Sequence, residues 1–314
     1  MEPADRPLDP SVLRDRLAAI DAGSAAPPSA GPSSAPFTTS APLTAPSDEE
    51  LRFAFAANLF ELFRAMAHLP GGLVEESQVA ARHLAFPFNP MFKGVWRARL
   101  NPTNVDAAID EAASWFAAHD APFAFWWVDP RSTPQDLGAR LVAKGWQPWE
   151  LDAPGMAADL DALTYDVLER VPPGYRQRRV SNAAGLDDFR DAFVKGFEVP
   201  GWAGQAWVDA TLAFGIEDSP WQCYVGYLDE EPVASNMLFS AAGVASVFGV
   251  ATAPHARGRG IGVAITLIAY QDARERGYRY GVLFGTESGA PVYRRIGFHD
   301  VAATMSRYLW RPEN

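Results

Sequence analysis

The chain has a single cysteine, Cys223, in 314 residues. One thiol excludes an intrachain disulfide and any metal site built from cysteines, and it suits a reducing compartment. Basic residues are also scarce, with 27 Lys and Arg against 38 Asp and Glu, for a net charge of −11. A chain of that balance lacks the cationic face that a nucleic-acid backbone requires. No apolar run approaches the roughly 18 residues of a membrane span. The N-terminal residues show neither the basic nor the apolar region of a secretion signal. The expectation is a cytoplasmic protein with no nucleic-acid partner, no membrane partner and no metal.

What is present is ordinary globular material, 48% hydrophobic and 21% charged. At roughly 150 residues per domain, the length predicts two domains. Residues 1–48 read as a tail: Val12 to Ile20 could form a short helix, and the Pro, Ala, Ser and Thr that follow bury too little surface to order. Residues 49–161 read as a first domain, 162–174 as a linker and 175–314 as a second domain. In the first domain, Leu51, Phe55, Leu59 and Phe63 recur at helical spacing. Gln78 to Leu84 and Met91 to Leu100 are predicted strands. Val105 to Ala118 is a predicted helix behind the turn Asn101 to Asn104, and Phe123 to Val128 a buried strand. Ala157 to Leu160 is a final strand or its edge, and 161–170 a helical connector. The second domain reads as a strand, two helices, a three-strand meander ending in Val244 to Thr252, a helix from Ile261 to Arg276, the strand Tyr280 to Gly285, a short helix and a closing strand.

Between that meander and that helix lies VATAPHARGRGIG, Val250 to Gly262. Gly258, Gly260 and Gly262 alternate there with Arg257, Arg259 and Ile261. Glycines at a strand-to-helix junction let the backbone approach a ligand, and the helix N-terminus offers free N–H groups and a positive dipole end. The stretch reads as a pyrophosphate loop. A dinucleotide fingerprint is disfavoured, because that motif opens on a parallel sheet and its first glycine follows the strand directly. Here Ala253 to Arg257 intervene, and the preceding strands form an antiparallel meander.

Arg257, Gly260 and Gly262, followed by Tyr293-Arg294-Arg295-Ile296-Gly297-Phe298, resemble the R-x-x-G-x-G and Y-x-x-x-G-F motifs of the GNAT superfamily of acyl-CoA N-acyltransferases. The likeness spans roughly Tyr175 to Trp310. It implies an α+β fold (a mixed central sheet flanked by helices), acetyl-CoA as co-substrate and an amine acceptor, most simply a small molecule. It further implies that main-chain groups of Val250, Ala251, Thr252, Arg257, Gly258, Arg259, Gly260, Ile261 and Gly262 hold the cofactor. The pantetheine arm would lie between the strands ending near Thr252 and Gly285. Tyr293 would act as general acid toward the departing thiolate. Protein N-termini or lysines as acceptors, and a non-catalytic CoA-binding module, are the alternatives.

The family often places a glutamate on the strand before the loop, but Val244 to Thr252 has no acidic residue. Glu287 is the first candidate base and Glu198 the second. Each has a plain structural alternative: Tyr293 as a core aromatic, Glu287 as a helix-terminus carboxylate, Arg257 as a solvated arginine, His255 as an exposed loop residue. Phe197, Trp202, Trp207 and Trp221 fit either an acceptor pocket or a core, and Cys223 reads as buried packing.

The first domain echoes the second. Aligning Gly145–Trp146 with Gly297–Phe298 sets Leu141 opposite Tyr293, and Asn101 to Asp106 offers neither glycine nor arginine where the loop should be. It reads as a GNAT-like copy without cofactor chemistry, the chain being a tandem that is a monomer or a weak homodimer.

Overall fold

The structure, a computed structural model, describes residues 40–85, 92–217 and 219–312. The expected helix Val12 to Ile20 lies outside the described residues. By contacts the chain divides into two units, one of residues 63–153 with 304–314, the other of 35–62 with 154–303. Each unit is therefore discontinuous in sequence. Residues 49–62, expected with the first domain, belong by contacts to the unit that holds the glycine loop. The tail expected through residue 48 is ordered from Ser40: Gly243 N–H donates to Ser40 Oγ at 2.9 Å, and Leu43 N–H donates to Gly243 O at 2.9 Å.

In the first unit, β1 (Leu73–Glu76), β2 (Ala81–Leu84) and β3 (Lys93–Trp96) are antiparallel. A helix (Val105–Ala118) then leads to β4 (Ala124–Val128), which lies parallel to β3 and antiparallel to the last strand of the chain. Strand β1 escaped the sequence reading, because Leu73-Val74-Glu75-Glu76 has neither alternation nor β-branched enrichment. The buried side chains of the amphipathic helix, Val105, Ile109, Ala112 and Phe116, share a core with Trp126, Leu141 and Trp146.

In the second unit the strand order is β5, β10, β9, β8, β7, β6. Strands β7 (Trp221–Leu228), β8 (Glu231–Ala241) and β9 (Val244–Thr252) form the expected antiparallel meander, and β6 (Tyr175–Arg179) pairs antiparallel with β7. Strand β10 (Tyr280–Phe284) is parallel to β9 and antiparallel to the end of β5 (Gln147–Asp159). The closing strand β11 (His299–Trp310) divides between the units after Ala303.

The helices of this unit are α1 (Asp48–Ala65, which contributes its first 15 residues), two that follow β6 (Ala183–Phe197 and Gly201–Phe214), Ile261–Glu275 after the glycine loop, and Ala290–Arg295 after β10. The helix after the glycine loop buries Ile261, Ala264 and Ile265. Burying each of those isoleucines contributes about 1.5–3 kcal/mol. Asn58 on α1 is fully buried, and its amide donates to the carbonyls of Phe239, Ala241 and Val244 at the β8–β9 hairpin, at 3.1, 3.1 and 3.4 Å. The connector expected as a helix over 161–170 forms two 3-10 turns instead, Leu160–Ala162 and Asp166–Glu169.

Candidate cofactor and active site

Two local departures from regular pairing build the site. Strand β9 carries a bulge against β8: Ser235 pairs with Ala251 and Met237 with Phe248, so Gly249 and Val250 together face Asn236. Gly249 has φ +58°, and a Cβ there would meet Met237 Cε at 2.2 Å. A side chain there would be strained and would have to displace the Met237 methyl, which favours glycine. Ser235 Oγ donates to Gly249 O at 3.0 Å and fixes the turned peptide. The second departure is a splay. Strands β9 and β10 pair only at Ala245–Gly281 and Ser246–Val282, so their C-terminal ends run on without mutual hydrogen bonds.

Into that gap opens a cleft of about 670 Å3. Val250, Ala251 and Thr252 line one side, the glycine loop the floor, and Thr286, Ser288, Gly289 and Tyr293 the far side. Within the loop, Gly258 and Gly260 have φ of +74° and +79°, and Gly260 is the N-cap of the helix Ile261–Glu275. No side chain caps that N-terminus, so its first N–H groups remain available to an anion. By this test the loop fits a pyrophosphate: a main-chain cradle with a helix dipole behind it.

The Arg257 guanidinium is held on the main chain beside the loop. Its Nε donates to Thr252 O at 3.0 Å and one Nη to Gly196 O at 2.9 Å, with Glu198 at 3.5 Å. The side chain braces the loop, and the residue lines the cleft. Arg259 is exposed and does not line the cleft. Ile261 is buried, with its backbone at the cleft wall.

Tyr293 lines the cleft on the short helix Ala290–Arg295. Burial pushes its phenol up to about 12, opposed by a hydrogen bond with Thr266. At neutral pH the hydroxyl is therefore protonated and able to donate. Glu287 is exposed on the turn closed by Gly289 N–H donating to Thr286 Oγ1 at 3.1 Å, and it does not line the cleft. Glu198 caps its helix in the left-handed region at φ +54° and faces Arg257. The carboxylate that does line the cleft is Asp166, on a turn of the connector together with Val167 and Arg170. Sequence reasoning missed these residues because a linker carries no periodicity. Gly249 left a trace, a lone glycine inside an apolar strand, which marks a bulge.

Trp207 and Trp221 are core: they stack at 5.5 Å between centroids and are 3% and 0% exposed. Phe197 is 43% exposed, and neither it nor Trp202 lines the cleft. His255 is exposed, with Nε2 3.5 Å from Glu231. Cys223 is buried beside Thr211, its thiol pushed up to about 12 by burial, and is inert packing. Among the described residues no group of three or more His, Cys, Asp or Glu could hold a metal ion, and no helix is long and apolar enough to cross a membrane.

Residues 186–298 match the model of the acetyltransferase (GNAT) family. No curated protein matches the sequence. Among solved structures, a GCN5-related N-acetyltransferase from Kribbella flavida aligns with TM-score 0.64 and 21% identity over 84% of this chain and 96% of its own. A GCN5-related N-acetyltransferase from Sphaerobacter thermophilus aligns with TM-score 0.56 and 17% identity, covering 86% and 96%. A tandem GNAT protein from the clavulanic acid biosynthesis pathway aligns with TM-score 0.54 and 15% identity, covering 87% and 99%. These likenesses fix the fold, and the family match falls on the stretch that holds the bulge, the glycine loop and Tyr293. Over residues 186–298 the chain is similar to the GNAT acetyltransferase family, on a fold shared with GNAT structures.

Proposed function

We propose that the protein transfers an acetyl group from acetyl-CoA to the primary amine of a small molecule, by direct attack and with Tyr293 as general acid. The observation that carries this reading is one cleft that receives three features: an uncapped helix N-terminus, the bulged backbone at Gly249–Val250 and the protonated Tyr293 hydroxyl. The loop and helix N–H groups would hold the pyrophosphate. A main-chain N–H near Val250, turned out of the ladder by the bulge, would steady the oxygen of the thioester carbonyl as charge develops on it. The amine nitrogen bonds to the carbonyl carbon, the carbon–sulfur bond breaks, and Tyr293 gives its proton to the sulfur. Positioning supplies most of the acceleration, because an unprotonated amine attacks a thioester without a covalent enzyme intermediate.

The proton leaving the ammonium needs an acceptor. Strand β9 has none and Glu287 lies outside the cleft, so water would carry that proton to Asp166, the carboxylate that lines the cleft, or out through the open mouth. The same absence motivates the second reading, a CoA-binding module without turnover. The first unit is read as a cofactor-free GNAT-like copy.

The test is a panel of primary amines with acetyl-CoA, followed by release of free thiol. Turnover with at least one amine, lost in Gly260→Asp, is expected. Calorimetric binding of acetyl-CoA with no turnover across the panel would establish the binding module instead.

A further inference from the structure

Several arginines on the second unit face carboxylates. Arg274 meets Asp161 at 2.7 Å, Arg279 meets Asp159 at 2.8 Å and Arg294 meets Asp300 at 2.8 Å. Two that line the cleft do not: Arg170 and Arg295 are exposed and have no ion-pair partner among the described residues. They come from elements far apart in sequence. Arg170 ends the connector turn Asp166–Glu169, and Arg295 is the last residue of the helix that carries Tyr293. Thr164 N–H donates to Ile296 O at 3.0 Å, which ties the connector to the end of that helix. Val167 approaches the glycine loop, 3.5 Å from where a Cβ on Gly260 would stand. The connector thus brings a second cation to the cleft that Arg295 and the pyrophosphate loop line. Against these two stands one cleft carboxylate, Asp166. Unpaired guanidinium groups held at the wall of a cleft in a chain of net charge −11 mark a place for an anion that is not part of the protein.

The uncapped helix end accounts for a pyrophosphate and leaves these two arginines unused. We infer that Arg170 and Arg295 recognise a further phosphate of the same ligand, the 3′-phosphate on the ribose of CoA. The inference rests on the acyl-CoA reading of the cleft. It makes the connector, which lies within the second unit, a specificity element, and Arg170 lies outside the stretch that matches the family.

The test compares CoA with 3′-dephospho-CoA by calorimetry, for the full-length protein and for Arg170→Ala, Arg295→Ala and the double variant. Arg294→Ala is the control, a paired arginine next in sequence to Arg295. Hydrogen bonds to a charged group are worth enough to predict that the unaltered protein prefers CoA by about 10- to 100-fold. The double variant should bring that ratio close to one and leave the affinity for 3′-dephospho-CoA within about twofold, and Arg294→Ala should keep the preference. A ratio near one in the unaltered protein overturns the inference while the acyl-CoA reading stands. So does an equal weakening of both ligands in the double variant, or an equal effect of Arg294→Ala. Binding of neither ligand to the unaltered protein would overturn the acyl-CoA reading itself.

Discussion

The molecule contains two parallel strand pairs joined by a helix, and they part company one residue after they agree. In the first unit β3 and β4 pair at Gly94–Phe125 and Val95–Trp126. In the second, β9 and β10 pair at Ala245–Gly281 and Ser246–Val282. Beyond these contacts the second pair splays and leaves the cleft. The first is closed by its own chain. Thr133 N–H donates to Ala98 O at 3.2 Å, Leu100 N–H donates to Thr133 O at 3.2 Å and Thr133 Oγ1 donates to Leu100 O at 2.8 Å. Arg99 clamps the fully buried Asp129 with two bonds of 2.9 and 3.0 Å. The turn before the first unit's helix also satisfies its own N–H groups, since Asn101 Oδ1 accepts from Thr103 and Asn104. Leu141, opposite Tyr293, is buried core. A binding cleft in this fold is thus an absence of hydrogen bonds between two strands, and a few polar side chains suffice to remove it.

The largest effect expected from this contrast is on the loop. Gly260→Asp sets a carboxylate at an anion site and forces a side chain into φ +79°. Acetyl-CoA affinity should fall by at least about 100-fold, or about 2.7 kcal/mol, in calorimetry. Asn101→Asp in the corresponding turn of the first unit should leave affinity unchanged. Next is Tyr293→Phe. A general acid contributes about 100-fold or more to turnover, so kcat should drop by that order with little change in KM for acetyl-CoA. An unchanged kcat would return Tyr293 to the core.

Third, Asp129→Ala strands Arg99 and breaks the clamp that closes the first unit. It should cost about 3 kcal/mol in denaturant unfolding, and titration should still find one CoA per chain; two would show that the clamp alone keeps the first unit empty. The smallest effect is alkaline. The Tyr293 phenol ionises near 10 in the unfolded chain and at about 12 when folded. Its contribution to stability is therefore complete below pH 10 and is lost as pH rises from there toward 12. The stability difference between Tyr293→Phe and the unaltered protein should hold constant up to pH 10 and shift in favour of the variant above it.

The parts of the site that rest on main-chain chemistry were legible in the sequence. A glycine loop between a strand and a helix has few other uses, and Gly258, Gly260 and Tyr293 all fall at the cleft. What depends on the course of irregular chain was not legible. Glu287 follows a strand and could have turned inward, but the Thr286–Gly289 turn carries it out. Arg170 lay in a stretch with no pattern to read. Arg257 matched a motif, but only geometry shows that its guanidinium holds Thr252 and Gly196. The two tryptophans, Trp207 and Trp221, were chemically suited to a pocket or a core, and only their stacking decides for the core.

Asn58 has a consequence for how this gene could be divided. Its amide serves three carbonyls at the β8–β9 hairpin, some 180 residues downstream in sequence. A recombination event that exchanged everything before the connector would carry the second unit away without that amide, taking a donor from three main-chain carbonyls at the end of the two strands that lead to the glycine loop. The unit that holds the cleft is inherited whole only if the stretch before residue 63 travels with it.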